Sequence, residues 1–208
     1  MAKPNEGVAR AALSSSRAIQ VIGGPGTGKS QAIVQRAAHL LESGTQPSEL
    51  LVLAATRSAA DALRSRVTAC GAPGAAEVQV CTPMQFFEQV LSCPEARAFT
   101  GRTPRLLADF EERILMEDMK TCGLKPKRLR EMLKFFYRSW TELADDDPNW
   151  LLAGEEANVH ALLKVNLAFT RSIAEPEAGN LAVNYLRGHA GARDAHSFTH
   201  VLVDDYQR

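Results

Sequence analysis

The chain has 208 residues, enough for one sizeable domain or for a core domain carrying an insertion. At 45% hydrophobic and 23% charged residues, with no low-complexity tract, its composition is that of a folded globular protein and excludes a fibrous or disordered one. Lys plus Arg equals Asp plus Glu at 24 each, so there is no global basic field, and any polyanion must be held by local patches.

The opening stretch MAKPNEGVARAALSSSR lacks the apolar block of a signal peptide, and no later apolar run approaches the length of a membrane span. A cytoplasmic protein with no membrane partner is expected. Residues 18–23, AIQVIG, read as a strand, and KSQAIVQRAAHLLESG reads as a helix closed by Gly44. LLVLAAT at 50–56 is a second buried strand. SAADALRSRVTACG follows as a helix with Ser58 and Asp61 at capping-box spacing. EVQVC at 77–81 is a third strand, and PMQFFEQVLS a short helix with Pro83 in its first turn. Alternation of this kind is the signature of parallel βαβ units.

After about residue 94 the strands give way to successive amphipathic helices: PRLLADFEERILMEDMK, KRLREMLKFFYRSWTEL, EEANVHALLKVNLAFTRSI and EAGNLAVNYLRGH. A strand returns only at FTHVLVDD. The economical arrangement is α/β, with a parallel sheet built by residues 1–94 and 197–208 and an all-helical subdomain, 95–196, inserted between its strands. Within the insertion, Leu129, Met132, Leu133, Phe136, Trp140 and Leu143 define one apolar helix face, with Lys127, Arg130, Lys134 and Arg138 opposite. That basic row is expected to be a solvated surface, the sharper alternative being a phosphate-contacting stripe. Phe87, Phe135, Phe136 and Tyr137 are expected in the core. Cys70, Cys81, Cys93 and Cys122 show no metal or disulfide spacing and read as reduced thiols; the five histidines show no metal-ligand pattern.

Gly23, Gly24, Pro25, Gly26, Thr27, Gly28, Lys29 and Ser30 satisfy G-x-x-x-x-G-K-[ST] between a predicted strand and a predicted helix. Chance produces the bare pattern in roughly one chain in a hundred of this length. Glycines let backbone N–H groups turn toward a phosphate, and the helix beginning near Lys29 adds its positive end. Lys29 is the candidate to neutralise the β and γ phosphates of ATP, and Ser30 to offer its hydroxyl to Mg²⁺. The loop needs a carboxylate from another strand. Asp204 closes THVLVD, where it would hold the Mg²⁺ water shell, and Asp205 stands one place on to polarise the attacking water. Both are expected to face Lys29 across the carboxyl edge of the sheet.

In this order the segments resemble the UvrD/Rep-type superfamily 1 DNA helicases and related helicase-nucleases, over nearly the whole chain. GGPGTGKS resembles their first motif, ATRSAADALRSRV the next, CTPMQFF their Thr-x-His-x-Phe segment, and VDDYQR their D-E-x-Q segment. The resemblance implies a RecA-like P-loop ATPase core with a helical accessory subdomain, using ATP and Mg²⁺ and acting on single-stranded or partly duplex DNA. It also implies a possible protein partner in a repair or recombination complex. By that match Thr56, Arg57, Thr82 and Phe86 would lie near DNA, with Phe86 a candidate base-stacking ring, and Gln207 would sense the γ phosphate. Four positions depart from the family pattern: Val8 replaces the Gln that reads adenine, Gln31 the Arg that stacks on the base, Met84 the His, and Asp205 the Glu. The family's second RecA-like domain supplies transition-state arginines. The expectation is an N-terminal helicase portion that binds nucleotide, turns it over poorly alone and does not unwind. The competing expectation is a stand-alone nucleotide-dependent binding or regulatory module.

Overall fold

The structure is a computed structural model that describes residues 6–147, 149–150 and 154–206. It divides into two compact units: one comprises the chain through Pro83 together with the segment from Ser197, the other runs from Met84 to His196.

The first unit contains α1 (Glu6–Leu13), α2 (Lys29–Glu42), β1 (Leu50–Leu53), α3 (Arg57–Thr68), β2 (Gln79–Cys81) and β3 (His200–Val203). The strands form a parallel sheet in the order β2-β1-β3, with Val52 paired to Val80 on one side and to Leu202 on the other. As the central strand, β1 is covered on both faces, which is why its sequence is continuously apolar rather than alternating. Val34, Leu40 and Leu41 from α2, and Leu63 and Val67 from α3, complete the core with Val52 and Val80. On β3, Val201 and Val203 face outward and remain about half exposed (51% and 40%).

Several local expectations are corrected. The predicted strand at 18–23 does not form: Ile19, Val21 and Ile22 are exposed, and residues 19–24 have no regular structure. A β-branched run becomes a strand only when a neighbour completes its ladder, and no described residue pairs with this one. The expected Ser58–Asp61 capping box is absent. Thr56 caps α3, its hydroxyl accepting from Ala59 N at 3.2 Å, while Asp61 pairs with Arg64 at 2.6 Å. The sequence reading also passed over α1. Arg36 fastens that helix to α2 by donating to the Ala12 and Ser14 carbonyls at 2.9 and 2.6 Å.

The second unit contains α4 (Pro83–Leu91, whose first residue belongs to the first unit), α5 (Pro94–Thr100), α6 (Asp109–Asp118), α7 (Pro126–Thr141), α8 (Glu155–Phe169), α9 (Ala178–Gly188) and α10 (Ala190–Ala195). Helix α7 buries Leu129, Met132, Leu133, Phe136 and Trp140, as their spacing predicts, against Leu115 and Met119 and against Val159, Leu163 and Leu167 of α8. Burying each of these large apolar side chains contributes roughly 1.5–3 kcal/mol before ordering costs. Leu143 lies beyond the helix end in a left-handed conformation, and Phe135, expected in the core, is 46% exposed. Extended backbone is not wholly lost after residue 94: Leu106 and Ile173 form one isolated parallel bridge.

A buried ionic cluster organises the second unit. Glu177, with no exposed surface, accepts from Arg102 Nη1 and Nη2 at 2.7 and 2.8 Å and from Lys164 Nζ at 2.6 Å. Burial pushes the Glu177 carboxyl up, but Arg102 and Lys164 outweigh it and hold the group below the usual carboxylate range. No described helix is long and apolar enough to cross a membrane, and all four cysteines are free thiols.

Candidate phosphate-binding site

The candidate site is built from the exposed loop at 23–28, the first turn of α2 and the end of β3, all in the first unit. Gly26 and Gly28 take φ values of 75° and 92°, the left-handed region that a side chain disfavours. Gly28 also closes the N-terminus of α2, and a Cβ there would lie 3.1 Å from Val8 Cγ2. The loop is braced internally: the Thr27 hydroxyl donates to the Gly24 carbonyl at 2.8 Å. No acidic side chain occupies the first turn of α2, so its exposed N–H groups and positive end are not neutralised from within that turn.

Beyond the last residue of β3, the Asp204 N–H donates to the Leu53 carbonyl at 2.8 Å, which fixes this residue to the end of β1. Its side chain then meets α2: the Ser30 hydroxyl donates to Asp204 Oδ2 at 2.8 Å, across 174 positions of sequence. A hydroxyl and a carboxylate in contact form a hard-oxygen pair of the kind that holds Mg²⁺ together with phosphate oxygens and water. The described residues contain no cluster of three or more His, Cys, Asp or Glu, so the pair does not form part of an all-protein metal cage. Asp205 adopts φ 52°, strained for a residue with a side chain though tolerated by Asp, and its N–H donates to Asp204 Oδ1 at 3.2 Å.

Lys29 makes no ion pair with a described acid; its ammonium group folds back to donate to the Gly23 and Gly24 carbonyls at 3.0 and 2.9 Å. Those carbonyls are the nearest acceptors the loop itself provides, and a phosphate oxygen would compete with them for the same donors. Gln207 lies outside the described residues. Of the residues matched to DNA contact, Thr56 serves as a helix cap and Arg57 is exposed at the start of α3. Thr82 is buried in the first unit. Phe86 packs in the apolar cluster of the second unit, edge-on to His196.

A cavity of about 330 Å³ opens beside the loop, between Val8 and Ala9 of α1 and Gln31 and Gln35 of α2, with Gly26, Thr27 and Gly28 at its floor. The family resemblance places Val8 at the adenine-reading position, but the helix α1 that carries Val8 and Ala9 to this wall was not read from the sequence. The signal was slight: Val8 and Ala12, four apart, are the buried positions of an eight-residue helix.

A parallel α/β sheet with a glycine-rich loop before a helix, and an acid from a distant strand on the loop's hydroxyl, defines the P-loop NTPase class. Residues 5–208 match the family model of the UvrD/REP helicase N-terminal domain, and the chain belongs to that helicase family. A comparison with curated proteins returns no match. Family membership makes this a helicase ATPase region, of a family that uses nucleotide and divalent metal and acts on DNA.

Proposed function

We propose that this chain is the ATP-binding region of an ATP-dependent DNA helicase that couples hydrolysis to translocation on single-stranded DNA. The observation that carries the reading is the Ser30–Asp204 hydrogen bond, which joins the end of the phosphate loop to the end of a sheet strand. In this reading the backbone of residues 23–28 and the start of α2 cradle the phosphates, and Lys29 leaves the Gly23 and Gly24 carbonyls to bind the β and γ oxygens. Ser30 and Asp204 hold Mg²⁺, which when bound offsets the charge of the phosphate chain. Asp205 orients the attacking water and Gln207 responds to the γ phosphate. Residues 1–94 and 197–208 make up the RecA-like core, and 95–196 the helical accessory subdomain. Thr56 and the exposed Arg57, at the start of α3, lie toward DNA.

The cation supplied by the loop is Lys29, and an arginine directed at the transferring phosphate is worth about 10³–10⁵ in rate. These 208 residues tested alone therefore bind Mg·ATP, turn it over slowly and do not unwind DNA. Calorimetric titration with Mg·ATP checks this. Binding by the wild-type chain that weakens at least about tenfold in Lys29→Ala is expected; equal binding by the two chains contradicts the assignment.

A further inference from the structure

Helix α8 buries Val159, Leu163 and Leu167 on one face, yet its opposite face is apolar too. Asn158, Ala161, Val165, Ala168 and Phe169 are exposed, Val165 by 64% and Phe169 by 87%. Beyond the first turn the helix carries one formal charge, Lys164, and that group is turned to Glu177. A helix that is apolar on both sides is normally one that is covered on both sides. A second apolar pair lies within one arginine's reach. Phe110 and Ile114 of α6 are 59% and 55% exposed, and Arg105 ties the first turn of α6 to the end of α8 by donating to Glu111 at 2.6 and 2.9 Å and to the Thr170 carbonyl at 3.1 Å. The four large side chains leave on the order of 500 Å² of apolar surface uncovered, as much as the largest patch of an ordinary monomer.

We propose that this face pairs two copies of the chain about a two-fold axis through Val165, with the two α8 helices antiparallel. The exposed α8 face holds no charge to draw a phosphate backbone or a charged peptide, and the surface that suits it is another uncharged apolar one. Its side chains are self-complementary in size. Across a two-fold axis at Val165, the residue four places beyond the axis meets the residue four places before it, so Phe169 falls on Ala161 of the second copy. The ends are complementary in charge. Arg171, exposed and without an ion pair among the described residues, follows the C-terminus of α8, and the exposed Glu155 opens its N-terminus. Antiparallel pairing brings Arg171 to within about one helical turn of Glu155 of the second copy, whereas a parallel pair would set Arg171 beside Arg171 and Phe169 beside Phe169. Two copies together cover roughly 1,000 Å², a little under the ~1,200 Å² at which specific interfaces begin, and the expected dimer is weak, with a Kd on the order of 10 µM.

Sedimentation equilibrium of the 208-residue chain without nucleotide or DNA, from about 1 to 200 µM, tests this. The weight-average mass is expected to rise with concentration from 22.6 kDa toward twice that value. Val165→Asp, at an exposed position that leaves the urea midpoint unchanged, places two like charges on the axis and weakens the dimer at least about thirtyfold. Cross-linking reads the geometry. Under mild oxidation Val165→Cys joins two chains, whereas Phe169→Cys, about 12 Å from its own copy along the axis of the paired helices, does so no more than the wild type with its four free cysteines. A mass of 22.6 kDa at every concentration overturns the proposal. A dimer that survives Val165→Asp overturns it by placing contact on another face, and equal cross-linking of the two cysteine variants overturns the antiparallel arrangement.

Discussion

The phosphate loop of the first unit and the Glu177 cluster of the second treat charge in opposite ways. Around Glu177, a carboxylate with no exposed surface is met by two cations, Arg102, itself buried, and Lys164, 37% exposed: both carboxylate oxygens are occupied, and Arg102 also reaches the Ser172 carbonyl at 3.2 Å. At the loop, a lysine is held by two carbonyls that carry no full charge, the first helical turn contains no acid, and Asp205 sits in a left-handed conformation. The first arrangement has no capacity left for a ligand, whereas the second leaves donors that an anion would satisfy better than the protein does. Polar groups fixed in place but incompletely matched are where binding is to be sought, and fully matched ones belong to the scaffold.

The largest effect is expected at Glu177. Replacing it with Ala leaves Arg102, 6% exposed, as an unpaired buried charge, and is expected to cost about 3–5 kcal/mol in urea unfolding; a loss below about 1 kcal/mol would remove the cluster from the scaffold. A second test is pH. The His160 imidazole lies among the rings of Phe136, Trp140 and Trp150, and burial, with the nearby Lys164 charge, depresses it from 6.5 to about 4. The unfolded chain therefore takes up the proton first. Stability due to the neutral ring is complete above about pH 6.5 and is lost progressively as pH falls toward 4. Denaturation midpoints measured across that window should fall in the wild type and fall less steeply in His160→Phe; parallel curves would dissociate the ring from the acid response.

A smaller effect separates the two roles of Thr56. As the cap of α3 it contributes about 1 kcal/mol, so Thr56→Ala should lower stability by that amount and Thr56→Ser should largely restore it. A DNA affinity that changes in Thr56→Ala but is also restored by Ser would keep hydroxyl contact with DNA in play. The smallest expected effect concerns α7. Lys127, Arg130 and Lys134 are exposed and make no ion pair among the described residues, while Arg138 is paired with Glu142 at 2.8 Å. As a solvated face, the row changed to Ala should leave stability within about 0.5 kcal/mol and the salt dependence of DNA binding unaltered. A flattened salt slope would move it from scaffold to interface.

How much of this was legible in the sequence follows the same division. The α7 face could be read because its spacing alone decides which residues are buried, and β1 because a central parallel strand is apolar throughout. The loop residues were legible because the motif is local. Residues 18–23 were misread as a strand because strand formation depends on a partner, which a local pattern does not contain. Nothing local in the sequence marks Glu177 as buried; its burial is decided by Arg102, 75 positions away, and Lys164, 13 away. The Ser30–Asp204 contact was anticipated as a shared metal site, but the inward fold of Lys29 depends on loop conformation, and the α1 wall on the reach of Arg36.

As proposed, Ser30 and Asp204 form the metal-side half of a nucleotide site. ATP affinity of the 208-residue chain, titrated with Mg²⁺ and with chelator, tests it most directly when wild type is set beside Asp204→Asn. Mg²⁺ is expected to strengthen ATP binding about tenfold or more in the wild type and to have little effect in Asp204→Asn. The same Mg²⁺ dependence in both chains would contradict it.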